Sequence, residues 1–367
     1  MSEGDEQITN RERGECVDMR RDVPTLLTIP TLLTTLLVVS LVVVSLTAGA
    51  GGAGVRPAAG QENAANGTGI DSCTTISSPG RYTLTGDIRN ATIGTCLRIT
   101  ANDVTLDGRG HRVDGVGAFG TSGVLVTGGS NVTVRNVGAT DWDDGIRFVG
   151  TRNARVAETT TARNRVGLSL VSFRDSEAVD NVARSNAVAG VFLVGSSSNN
   201  TLRNTTVRDN ALVGVQLVEA TRNTVVGTVA RRNEFGVALL GANRNTVRGS
   251  VATGNHIAGL WLSAASDNRI RESRVSNRFY GIYLADGARN NTVESNVARG
   301  NSVGVRLRSS HHNAILGNRL VNSRDAGILL ISSDRNRIIG NRGTGNRRGI
   351  AVSSSSDGNT RSNNSVD

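Results

Sequence analysis

Along most of the chain the apolar residues fall in short alternating runs. A glycine followed by an apolar-any-apolar triplet recurs at Gly123, Gly145, Gly167, Gly190, Gly214, Gly236, Gly259, Gly281, Gly304, Gly327 and Gly349, at intervals of 22 to 24 residues. Nine or ten residues after the glycines stands a second row, Asn200, Asn223, Asn245, Asn268, Asn291, Asn313 and Asn336. A third row, from Asn164 through Asn186, Asn210, Asn233, Asn255, Asn277 and Asn301 to Asn346, precedes the next glycine. The period-two alternation predicts two or three short strands per unit. No stretch has apolar spacing near 3.6 over helical length, which excludes leucine-rich and helical repeats, and a propeller blade needs nearly twice this period. Each unit therefore reads as one rung of a parallel β-helix, with about eleven rungs over residues 116–360. At ~4.8 Å per rung the stack is on the order of 50 Å long. Asparagine suits the corners because it tolerates left-handed backbone and its amide can bond to the same residue one rung away. A lone rung buries too little to fold, so stability has to come from stacking.

Composition agrees with a narrow coil. Glycines number 44 against 4 prolines, and aromatics are 3 % of the 367 residues, too few for one bulky core. Basic residues number 41 against 31 acidic, a net charge of +10, and every basic residue is arginine. Residues 23–50 carry no charge and follow Arg20 and Arg21, which reads as a signal peptide or membrane anchor with residues 1–22 as a cytoplasmic head. Ala48-Gly49-Ala50 suits cleavage, and the arginine pair fits a twin-arginine signal poorly. Residues 51–70, rich in Gly, Ala and Asn, read as a flexible linker. Beyond the apolar segment the cysteines are Cys73 and Cys96, an even pair that reads as a structural disulfide; a metal site would need more ligands nearby. Residues 71–115 are expected to cap the first rung, stapled by that bridge, and 361–367 to form a polar tail.

The CxxI at Cys73, the YxLxxDI at Tyr82 and VTLDGRGHRVDG from Val104, followed by Asn-rich GVxL rungs, resemble the right-handed parallel β-helix superfamily, and within it NosD-type domains. The resemblance implies a right-handed coil of the pectin-lyase-like kind. It also implies a connection to polysaccharide or to copper, the latter from the periplasmic copper-binding protein that gives the type its name.

Four groups of residues are candidates for chemistry. Copper needs converging His, Cys or Met side chains; only His311 and His312 are adjacent, and solvated corner histidines would read the same way. Hydrolysis needs two carboxylates at a set separation, and Asp141, Asp143 and Asp144 cluster beside Arg147 in DWDDGIRF. A lyase would want calcium-binding acids, and no calcium nonapeptide is present, so no resident cofactor is expected. The middle residue of each GVxL strand points outward, which lines up Trp261 and Tyr283 on adjacent rungs, with Phe279, Tyr280 and Arg306 beside them. Stacked exposed rings there would form a sugar platform; the alternatives are an oligomer contact or packing of the rings on one another. Arg163, Arg184, Arg208, Arg231 and Arg299 should stack along one corner, where they could follow an anionic surface polymer. Export argues against nucleic acid. The combined expectation is an exported or membrane-anchored, non-catalytic β-helix that binds a polysaccharide, with a polysaccharide lyase or hydrolase and a copper-handling accessory protein as alternatives.

Overall fold

The computed structural model describes residues 67–367, so the head, apolar segment and most of the expected linker lie outside the described residues. The described chain is all-β, coiled into three parallel sheets of 14, 13 and 12 strands. One rung contributes one strand to each sheet. Ala189–Val194 goes to the 13-strand sheet, Thr201–Arg203 to the 14-strand sheet and Thr206–Arg208 to the 12-strand sheet. Val213–Val218 then resumes the first of these, directly over Ala189–Val194. Among the described residues no helix is long and apolar enough to cross a membrane.

The stack has more rungs than the eleven glycines mark. Residues 71–115 join the coil itself: Thr74–Ile76 and Thr95–Ile99 open the 13-strand sheet, and Gly80–Leu84 and Val104–Asp107 belong to the 14-strand sheet. At the far end Thr360–Ser362 and Ser365–Val366 pair with the rung before them, so the expected polar tail is part of the last rung. Thirteen strands at ~4.8 Å span about 58 Å. The Cys73–Cys96 disulfide links the first two rungs of the 13-strand sheet, with Cys96 buried in the core. Closing a loop of 23 residues, it stabilises the open end by about 3 kcal/mol.

Inward positions carry mostly Val, Leu, Ile and Ala, aligned rung over rung, as Leu217, Leu239 and Leu262 are. The glycine row is a steric requirement. A Cβ on Gly236 would stand 2.5 Å from the Gly259 carbonyl oxygen and 3.0 Å from the Asn255 amide nitrogen.

Both asparagine rows are buried ladders. Asn200 donates its backbone N–H and its amide to the Asn223 side-chain oxygen, at 3.1 and 2.8 Å, and Asn223 does the same to Asn245. The chain of bonds runs on to Asn359. The left-handed backbone expected of these asparagines belongs to the residue before each one, among them Asn199, Arg222, Arg244, Asp267 and Arg335. The ladder asparagines are selected for their amides, which pair groups that would otherwise be buried without partners. Sequence reading missed a third ladder between the two short strands, where Asn296, Asn318, Asn341 and Asn364 hand on the same bonds. Thr205, Thr228, Ser250 and Ser273 hold its earlier places.

Candidate functional site

The regular corner pattern breaks at the rung of DWDDGIRF. Trp142 occupies the place that Asn164 and Asn186 hold above it, is buried in the core, and donates Nε1–H to the Val113 carbonyl at 3.1 Å. Its backbone N–H is received by the Asn164 side-chain oxygen, so the ladder begins on top of it. The next two residues carry carboxylates, and Asp144 takes a place that the following rungs fill with Val166, Ala189 and Val213. Asp143 is paired with Arg165 of the following rung. Asp144 is 1 % exposed, accepts a 3.0 Å bond from Arg147 through Oδ2, and its Oδ1 has no hydrogen-bond partner among the described residues. Burial, opposed by Arg147 and Arg165, pushes the Asp144 carboxyl up to about 6. Asp141, at the exposed turn, accepts a 3.1 Å bond from Arg163 Nε instead. Two carboxylates with two arginines thus meet in one place, and Asp141 stands apart with Arg163.

Two residues of this site were not singled out from the sequence. Arg165 bridges Asp143 and the ring of Phe119, its guanidinium carbon 5.6 Å from the ring centroid. Phe119 is 74 % exposed and sits in the glycine-rich segment 115–121, which ends at Thr121. Thr121 accepts the Asp143 N–H on its hydroxyl and the Asp144 N–H on its carbonyl. The available signal was a phenylalanine set among glycines, where no core strand can be drawn.

The aromatic platform requires correction. Trp261 and Tyr283 do share the outward row, in register with Ala238 and Arg306. They are nevertheless each 1 % exposed and offer no open ring face. Trp261 stacks on Phe235 at 4.4 Å, Tyr283 packs on Tyr280 at 4.9 Å, and the Arg306 guanidinium lies over both tyrosines. Burial raises the Tyr283 hydroxyl above its ordinary range. Only Phe279, Tyr280 and Arg306 keep part of their surface. Alternation tells which face a side chain takes; it does not tell how its neighbours fill that face.

The basic row is real over three rungs. Arg184, Arg208 and Arg231 are in register on consecutive strands of the 12-strand sheet. Arg208 pairs with Asp209, whereas Arg184 and Arg231 make no ion pair with a described residue. The next two rungs of the row hold Thr253 and Ser276 before Arg299 follows. Arg163 stands one place further on, at the turn. A cavity of about 240 Å³ between Arg112, Arg163, Arg184 and Glu158 opens beside the start of the row.

A family model described as periplasmic copper-binding protein (NosD) matches residues 102–270, 199–291 and 246–367, most of the chain. The chain belongs to the NosD family. No curated protein sequence matches it. Solved structures similar to this NosD-family chain include the Dettilon tailspike protein, with TM-score 0.59, 13 % identity, and 77 % of this chain and 60 % of that one covered. The periplasmic alginate epimerase AlgG gives 0.53, 12 %, 79 % and 78 %. The A-module of the mannuronan C-5 epimerase AlgE6 of Azotobacter vinelandii gives 0.52, 15 %, 80 % and 85 %. At these identities the likeness shows the fold, a right-handed parallel β-helix of the pectin-lyase-like type.

The copper of the family description does not fit the described side chains of this NosD-family chain. Both described cysteines are consumed in the disulfide. The described residues include no methionine. No three His, Cys, Asp or Glu side chains among the described residues gather as a metal site. His311 turns its Nδ1 to Asp334, where it accepts the backbone N–H at 3.1 Å, while His312 is exposed in left-handed backbone. His111 lies against Asp87 and His256 against Phe279.

Proposed function

We propose that this NosD-family chain is an extracytoplasmic protein that binds an acidic polysaccharide without turning it over. The register of Arg184, Arg208 and Arg231 carries the reading: three cations repeat at the rung spacing of ~4.8 Å, two of them free of any described acidic partner. A polymer with regularly repeated carboxylates or phosphates laid along the 12-strand sheet would meet one guanidinium per rung, and guanidinium geometry favours such anions. Phe279, Tyr280 and Arg306 add a half-exposed edge for sugar rings on another sheet. The disulfide supports an oxidising compartment outside the cytoplasm. Residues 23–50, if retained, would tether the protein to the membrane. The fold shared with alginate epimerases supports a polysaccharide partner over nucleic acid.

The test is binding of polymannuronate and of a neutral glucan at low and high salt. Polymannuronate should bind, weaken as salt rises, and lose at least tenfold in affinity in the Arg184→Gln, Arg208→Gln, Arg231→Gln triple variant. Salt-insensitive binding, or full binding by the triple variant, would refute this reading. A second reading, catalysis at Asp143 and Asp144, is favoured by the buried Asp144 carboxyl, poised near 6 for proton transfer. Sugar release or epimerisation abolished by Asp144→Asn would establish it in place of the first.

A further inference from the structure

The carboxylate rung holds more chemistry than its place in the coil requires. Ladder corners elsewhere bond polar groups to one another, as Asn210 to Asn233 and Asn233 to Asn255. Here two buried oxygens lack partners among the described residues: Asp144 Oδ1, and Ser169 Oγ, which is fully buried and in register beside Arg147 on the next strand. Leaving such groups unpaired costs about 1–3 kcal/mol each, so each calls for an explanation.

Beside them Phe119 presents a ring that is three-quarters exposed, steadied on one side by Arg165. The segment that carries it turns on Gly117 and Gly120, at φ +74° and +75°, and is anchored at Thr121 by the Asp143 and Asp144 backbone. Arg147 and Arg165 keep part of their side chains in solvent, at 26 % and 21 %. With each arginine paired to one carboxylate, the cluster is formally neutral.

We propose that Phe119, Arg165, Asp143, Asp144 and Arg147 form a subsite for a neutral hexose unit, separate from the arginine row. The apolar face of a pyranose would lie on Phe119, as sugars lie on aromatic rings, and its hydroxyls would bond the two carboxylate–guanidinium pairs. The exposed edges of the two guanidinium groups would donate to those hydroxyls, with the buried Asp144 holding Arg147 in place behind them. The balanced charge disfavours a uronate here, so the two places read different features: the row reads charge, and the Phe119 subsite reads an uncharged ring.

The experiment uses the whole protein on an array of neutral and uronate oligosaccharides at 0.5 M salt, on the order of a Debye length of 4 Å, where the arginine row is screened. Neutral oligosaccharides should bind. Phe119→Ala should weaken them about tenfold and Phe119→Trp should restore them. The Arg184/Arg208/Arg231 triple variant should leave this binding unchanged, so failure of the acidic-polymer reading and failure of this one are told apart. Arg165→Gln should weaken the same sugars while circular dichroism stays that of the parent. The proposal is overturned if no neutral oligosaccharide binds, if Phe119→Ala binds as the parent does, or if uronates alone respond to Phe119.

Discussion

The corner leading into the 13-strand sheet is built in two ways along its length. From Asn164 to Asn255, each asparagine gives its amide to the next, and the corner is closed, buried and repetitive. One rung below, the same corner holds Trp142, Asp143 and Asp144, with an exposed phenylalanine at its edge and buried oxygens left unpaired. That stretch gives each ladder amide a partner in the fold, which leaves little there for a ligand to satisfy. The irregular rung costs stability and keeps bonding capacity in reserve. In a solenoid whose rungs otherwise copy one another, a departure from the repeat is where binding chemistry can be placed without disturbing the rest.

That contrast can be broken most severely from the regular side. Asn245 donates its amide to the Ala220 carbonyl at 2.9 Å and to Asn268 at 3.1 Å, and receives the Asn223 backbone N–H at 2.9 Å. Asn245→Ala should strand these buried groups and lower unfolding free energy by about 4 kcal/mol, read from the denaturant midpoint. A loss under about 1 kcal/mol would mean that neighbouring rungs or water repair the ladder.

The irregular rung should respond in the opposite sense at neutral pH. The Asp144 carboxyl is raised from 3.8 to about 6 in the folded chain. Between about pH 4 and 6 the unfolded chain has therefore lost a proton that the folded chain keeps, and stability falls as pH rises through that window. Asp144→Asn has no such proton to lose. It should match the parent near pH 3.5 and exceed it above pH 6.5, by on the order of 3 kcal/mol. Parallel pH–stability curves for the two proteins would show that Asp144 ionises as easily folded as unfolded.

Trp142→Phe keeps the apolar bulk and removes the bond to the Val113 carbonyl. About 2 kcal/mol should be lost, with hydrogen exchange rising at the first rungs and not beyond. Exchange rising evenly along the coil would contradict a local role. Thr246→Ala, at an outward position of the 14-strand sheet, should change the midpoint by no more than about 0.5 kcal/mol. A larger loss would assign outward threonines a part in the stack.

The rows visible in the sequence were those whose residue type does not vary. Glycine recurs because backbone from the next rung occupies the Cβ position, as at Gly236, and asparagine recurs because its amide both donates and accepts. The third ladder escaped notice because Thr, Ser and Asn share its places, and a text pattern does not group them as a structure does. The first rungs look like a separate cap in the sequence because they lack the GVxL phrase, although Thr95–Ile99 pairs in register with Ser122–Thr127 like any later rung. Asp143, Asp144 and Arg147 were legible from their spacing. Their partners Arg165 and Phe119 were not, since one lies 22 residues on and the other in a segment with no strand pattern. Trp261 and Tyr283 show the limit from the other direction: periodicity placed them on the correct face, and side-chain packing then removed them from solvent.

The asparagine ladder also sets how this molecule can change its length. Each amide needs only the identical amide one turn away, without reference to how many turns there are in all. Removing the 23 residues 245–267 would bring Asn268 over Asn223 in the place of Asn245, with every row of the coil closed again. Removing a single residue inside a strand would slip a turn out of phase and turn its apolar side chains outward. Such a gene can grow or shrink by whole turns, and the distance between the carboxylate rung and the far end of the coil becomes a quantity adjustable in steps of ~4.8 Å.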